Sequence, residues 1–264
     1  DAIVSTYPLY PYFTERSFST LPRVPVFTVI TDSIRINKSW TAAPTDHFLV
    51  TDSYTKQLLN QKGIPLEKLE PCGFPVNPIF SELPKITAED PCKPFKILYF
   101  PTSQKPQVRR IMRALLEAHP EKVELTVVLG RNFRKLYSRA LEIKQEFPER
   151  VTLKGWTKKV PELISKHHLV VGKAGGATTH ECLAATTPML IHYLLPGQEE
   201  GNLELLQKLG GGDLADSPEK LAIKVKELLD DDANGWRTMK QQLIKHSKPN
   251  GAEQTAEFIL QNLK

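Results

Sequence analysis

From Phe95 onward, apolar and polar positions alternate between two periods. Short apolar runs, FKILYF, VELTVVL, RVTLKG, HLVV and PMLIHY, each read as a buried strand. Between them lie segments with helical spacing at about 107–118 and 133–147, a short one near Val160 to Ser165, and another at 177–185, with further helices running on to Leu263. Strand and helix in strict turn predict a parallel sheet covered by helices on both faces. Asp213 to Asp216 reads as one more short edge strand, and Ser217 as the N-cap of the helix PEKLAIKVKELL, with Pro218 at the first helical position.

Before Phe95 the pattern is shorter but of the same kind. IVST, VPVFTVIT and DHFLVTD read as strands and Ser53 to Lys62 as a helix. The Pro-rich, charged stretch ending at Pro94 has no apolar period and reads as a linker. The expected organisation is therefore α/β: a partial N-terminal domain over 1–82, a linker over 83–94, and a second doubly wound domain over 95–264. The first part is smaller than a usual domain of that type, so the chain reads as a fragment or as the partner of a separate subunit.

Composition adds little until it is divided along the chain. The 264 residues carry a net charge of +5, with no run long enough to cross a bilayer. Lys and Arg outnumber Asp and Glu by 18 to 7 in residues 93–173, against 8 to 10 before and 9 to 13 after. Arg109, Arg110 and Arg113 share one predicted helix, and Arg131, Arg134, Lys135 and Arg139 begin the next. Such a face suits an anionic lipid surface or a phosphorylated ligand, and a merely solvated face is the competing reading. The interleaving of aromatic and basic residues expected of a nucleic-acid groove is missing, so no nucleic acid is expected. Cys72, Cys92 and Cys182 have no metal-binding spacing and read as reduced thiols of a cytoplasmic protein; no metal and no cofactor are expected.

The chemistry concentrates in VGKAGGATTHECLAATTPMLIHYLLPGQEEGN, residues 171–202. A strand, a glycine turn and a helix start bring free backbone N–H groups and the positive end of the helix dipole to one corner, where an anion fits. The dinucleotide and Walker spacings are both absent, so the turn alone also reads as simple packing. Glu181 lies one turn into that helix.

These residues resemble glycosyltransferase family 28. The likeness is nearest to monogalactosyldiacylglycerol synthases and processive diacylglycerol glucosyltransferases. It rests on VVLGRN (127–132), VTLKGWTKKVPELI (151–164), the segment 170–193 and PGQEEGN (196–202), with VFTVITDSIRINKSW (26–40) and PCGFPVNPIF (71–80) before the linker. The resemblance implies a GT-B fold, two Rossmann-like domains facing a cleft. It also implies inverting transfer of a hexose from UDP-glucose or UDP-galactose to diacylglycerol or a related lipid by a peripheral membrane enzyme. It assigns the donor diphosphate to Gly175, Gly176, Ala177 and Thr178, with Arg131 offsetting charge, and the ribose to Glu181. Uracil falls to Gly155, Trp156 and Thr157, and the donor sugar to Gln198, Glu199 and Asn202.

The family's glycine loop and His near the start of its first domain have no counterpart here, which leaves Asp32, in VITDS, as the candidate base. A strand-end cap is the competing reading of Asp32. The family's glycine-rich turn after the first strand of the second domain is Pro101, Thr102 and Ser103 here, and its His and Pro before the Trp are Asn37 and Lys38. A nucleotide-sugar-binding subunit without catalysis and a UDP-sugar 2-epimerase on the same fold are the alternatives.

Overall fold

A computed structural model describes residues 1–17, 23–102, 107–197 and 199–263. The chain builds two parallel sheets. In the first, β1 (Ile3–Ser5), α1 (Leu9–Ser17), β2 (Val26–Val29), β3 (His47–Leu49), α2 (Ser53–Gln61) and β4 (Leu69–Glu70) give four parallel strands in the order β1-β2-β3-β4. The second comprises β5 (Phe95–Tyr99), α3 (Val108–Ala118), β6 (Val123–Val128), α4 (Phe133–Glu146), β7 (Val151–Lys154) and α5 (Val160–Ser165). It continues with β8 (Leu169–Lys173), α6 (Gly176–Ala184), β9 (Met189–Tyr193), α7 (Glu200–Lys208) and β10 (Gly212–Leu214). Two long segments close the chain, α8 (Pro218–His246), broken at Asp230 to Ala233, and α9 (Gly251–Gln261).

The strand order β10-β9-β8-β5-β6-β7 is that of a doubly wound sheet, with its switch point between β5 and β8. The strands read as nearly continuous apolar runs because both faces are covered. Phe95, Ile97 and Tyr99 of β5 point into a core closed by α3, α4 and α8, whereas Leu98 points to the other core, with Ile164, Cys182 and Leu206. Residues i and i+2 of a strand share a face, so a single run of sequence feeds both layers. The expected edge strand is β10, and Ser217 Oγ accepts from the Lys220 N–H at 3.1 Å as the N-cap.

The halves are joined by more than the connecting segment. Helix α9 turns back to the first sheet, where Phe258 and Ile259 pack on Val29, Leu49 and Cys72. Ser33 Oγ is 3.1 Å from His180 Nε2, while Phe74 stacks on the His180 ring at 4.4 Å. Ile34 packs with Leu205 and Leu209, and Arg35 forms ion pairs with Glu200 and Glu204. Gly201 makes this approach feasible: a Cβ there would lie inside van der Waals contact of Ser33 O and 2.8 Å from Arg35 N. Backbone is the obstacle on the Ser33 side, so no rotamer change relieves it. Gly201→Ala is expected to cost about 1–3 kcal/mol of stability through overpacking, read as a lower midpoint in chemical denaturation; an unchanged midpoint would mean that the halves separate freely.

The basic face expected on α3 is neutralised by glutamates brought from other helices. Arg109 pairs with Glu142 at 2.8 Å, Arg110 with Glu219 at 2.9 Å, and Arg113 grips both oxygens of Glu146 at 2.8 and 2.6 Å. These arginines are exposed but not uncompensated. Arg131, Arg134 and Lys135 form no ion pair among the described residues.

Candidate functional site at the facing strand ends

The residues singled out in the sequence all follow the C-terminal ends of parallel strands, the edge where doubly wound sheets bind ligands. Ala174 to Gly176 follow β8 and residues 194–197 follow β9, while Gly130 and Arg131 follow β6 and Gly155 to Thr157 follow β7. The two groups are not adjacent. Three inter-strand steps separate β8 from β7, about 14 Å at normal strand spacing, so one ligand meeting both must lie extended along the edge.

The glycine turn is built for a close approach. Gly175 is the N-cap of α6, in extended conformation, with no side-chain cap on the helix. A Cβ on Gly176 would stand 3.2 Å from Thr31 O of the first half, so the turn faces the opposing sheet edge across a narrow gap. Ala177 is exposed and Thr178 half-buried at the first turn of α6. Asn202 is buried; its Nδ2 donates to Ala174 O at 2.9 Å, which pins the turn, and its Oδ1 has no partner.

Glu181 lies half-buried on α6, and its carboxylate has no hydrogen bond or ion pair among the described residues. Burial alone raises its carboxyl to about 7. A carboxylate left in this state is satisfied by incoming hydroxyl donors. Glu199 is almost fully buried: it forms an ion pair with Lys173, and its Oε2 accepts from the Leu195 N–H at 3.1 Å. Gln198 lies outside the described residues, as does Ser103. Arg131 is exposed. Trp156 is 60% exposed, the ring of Phe133 packs 3.6 Å from the position of a Cβ on Gly155, and Thr157 Oγ1 accepts from the Lys159 N–H at 3.0 Å.

Asp32 follows β2 on the first half. One carboxylate oxygen, Oδ2, accepts from Trp40 Nε1 at 2.7 Å. Asp32 lines a cavity of about 840 Å³ with Thr6, Tyr7, Arg35 and Trp40, and Gly197 reaches it from the second half. The candidate base and the PGQEEGN loop thus border one space between the halves.

His180 and His167 are held by structural contacts. His180 Nδ1 is 2.8 Å from Gly176 O, and His167 bridges Leu163 O at 2.6 Å and Thr126 Oγ1 at 3.0 Å. Burial lowers His167 to about 4. Asp90, Cys92 and His168 gather their ligand atoms within 4.8 Å. The His168 tautomer is fixed against metal binding there: Nδ1 accepts from the Lys96 N–H at 2.9 Å, so Nε2 carries the proton it donates to Asp90 at 2.8 Å.

Several contacts at the site have no local sequence signal. Lys173 with Glu199, Trp40 with Asp32 and His180 with Ser33 are non-local pairs.

Two parallel sheets set edge to edge across a gap define the GT-B architecture, the class shared by sugar-nucleotide glycosyltransferases and epimerases. More particularly, residues 1–76 match the family model of monogalactosyldiacylglycerol (MGDG) synthase. The chain is 30% identical over 254 residues to a processive diacylglycerol beta-glucosyltransferase of Staphylococcus carnosus (strain TM300), covering 92% of this chain and 62% of that relative. Among solved structures, S. aureus MnaA in complex with UDP superposes with a TM-score of 0.68 at 15% identity, covering 100% of this chain and 76% of that one. MurG of Acinetobacter baumannii gives 0.66 at 16% identity, covering 98% and 72%. These matches bear out the resemblance read from the sequence, and the structural ones establish the fold.

Proposed function

We propose that this chain carries the donor site and part of the acceptor site of an inverting glycosyltransferase that moves a hexose from UDP-glucose or UDP-galactose to diacylglycerol. One observation carries the reading: an uncapped helix start behind a glycine turn, with a desolvated, unpartnered Glu181 one turn further in, at the C-terminal edge of a parallel sheet. The helix start takes the diphosphate, with Arg131 as a counter-charge, and Glu181 accepts from the ribose hydroxyls. Uracil lies along the edge at Gly155 to Thr157. The buried Oδ1 of Asn202 and the loop bearing Gln198 and Glu199 meet the sugar. The domain division at 83–94 belongs to the same proposal, with α9 crossing back.

In the transfer step Asp32 takes the proton from the acceptor hydroxyl as its oxygen bonds to the sugar C1. The C1–O bond to phosphate breaks on the opposite face, and the electron pair leaves with UDP. The positive end of α6 stabilises that developing charge, and the scheme calls on no cofactor. Peripheral contact with an anionic membrane is supported by Arg134 and Lys135, exposed beside the stacked pair Phe133 and Tyr137. Among the described residues no helix is long and apolar enough to cross a membrane.

The test is incubation with each UDP-hexose and diacylglycerol vesicles, followed by analysis of the lipids. Hexosyl-diacylglycerol is expected. UDP binding without lipid product would favour a non-catalytic subunit, and conversion of the UDP-sugar with no acceptor present would favour the 2-epimerase reading that the shared fold allows.

A further inference from the structure

We propose that Lys173 is a cation for the donor diphosphate and that Glu199 holds it over the glycine turn; the inference rests on the donor-site reading above. Lys173 ends β8, and its side chain is 49% exposed, whereas that of Glu199, its partner, is 5% exposed. The carboxylate is fixed from two sides, by the Lys173 ammonium and by the Leu195 N–H, and it stands at the N-cap of α7. A Cβ on Gly175 would lie 3.3 Å from both Cε and Nζ of Lys173 and 3.7 Å from Glu199 Oε1. The ammonium therefore sits directly over the residue that opens α6, a helix with no side-chain cap.

The same corner holds a second sign of an absent partner. Asn202, 3% exposed, leaves Oδ1 without a hydrogen bond while its Nδ2 ties down Ala174. A buried acceptor is rarely left so unless a donor satisfies it, and a hydroxyl of the sugar next to the diphosphate would supply one. An ammonium has three donors and Glu199 uses one, so Lys173 can give the others to phosphate oxygens without leaving its partner. In the empty protein Glu199 balances the charge. With the diphosphate bound, the ammonium bridges two anions, and the uncapped N–H groups of α6 supply the remaining bonds.

The experiment compares UDP with uridine by calorimetric titration of the wild type, Lys173→Gln and the double variant Lys173→Gln/Glu199→Gln. The double variant leaves no unpaired charge in the buried corner, and its thermal midpoint guards against misfolding. The preference for UDP over uridine should fall by about 10- to 100-fold in both variants, with uridine affinity unchanged. An unchanged UDP-to-uridine ratio in the folded double variant overturns the role of Lys173 and leaves the donor site standing. Absence of UDP binding by the wild type overturns the donor-site reading, and this assignment with it.

Discussion

Asp32→Asn is expected to slow sugar transfer to diacylglycerol by about 10²- to 10⁴-fold, the usual worth of a positioned general base, while leaving UDP affinity nearly unchanged. The expectation follows from how the carboxylate is held. Trp40 Nε1 donates to Oδ2 at 2.7 Å, which fixes the plane of the group, and the residue borders the cavity that Gly197 reaches from the other half. The amide keeps the shape but cannot take a proton. Trp40→Phe removes the orienting bond and leaves the base, so it should slow transfer by a smaller factor, with UDP binding again unaffected. Initial rates and UDP titrations on the same preparations separate the two roles. Transfer by Asp32→Asn at the wild-type rate would return Asp32 to the status of a strand-end cap.

Glu181 governs the second large effect, on donor binding and its pH dependence. Glu181→Ala should weaken UDP binding by about 1–3 kcal/mol, the cost of losing hydrogen bonds to a charged group. Burial raises the carboxyl from 4.5 to about 7, and the ribose hydroxyls bind the ionised form. UDP affinity in the wild type should therefore increase as pH rises from 6 to 8, by up to about tenfold per unit below the shifted pKa, and Glu181→Gln should flatten the profile.

The stability of the unliganded protein moves in the opposite sense. Between 4.5 and about 7 the native state holds a proton that the unfolded chain has lost, so the Glu181 contribution declines as pH rises through that window. Glu181→Gln removes this decline, on the order of 3 kcal/mol at pH 8. A UDP affinity in Glu181→Ala equal to the wild type, and independent of pH, would remove the ribose from this residue.

Much of the architecture was legible because it is encoded locally. Parallel strands buried on both faces have to be continuously apolar, so FKILYF and HLVV announce themselves as β5 and β8. The glycine turn and Ser217 are equally local signals, one of close approach and the other of capping. Helix α1 went unread because it buries only Pro11 and so carries no periodic apolar stripe.

The charge pattern shows where local reading fails. Eighteen basic residues in the middle third suggested one anion-binding face. Glu142 and Glu146 lie 33 residues beyond the arginines they meet, and Glu219 lies 109 beyond Arg110. Helix packing decides whether such charges face each other, and a charge count along the chain does not contain that information.

The sequence alone determined the alternation of strand and helix, the strand-end positions of the candidate residues and the glycine corner where an anion fits, because each depends on contacts within a few residues. Tertiary structure decided the rest. It placed Trp40 on Asp32, Lys173 on Glu199 and His180 on Ser33, returned α9 to the first sheet, and left Glu181 desolvated without a partner. Those features depend on which distant backbones approach, and approach is set by the packing of whole layers.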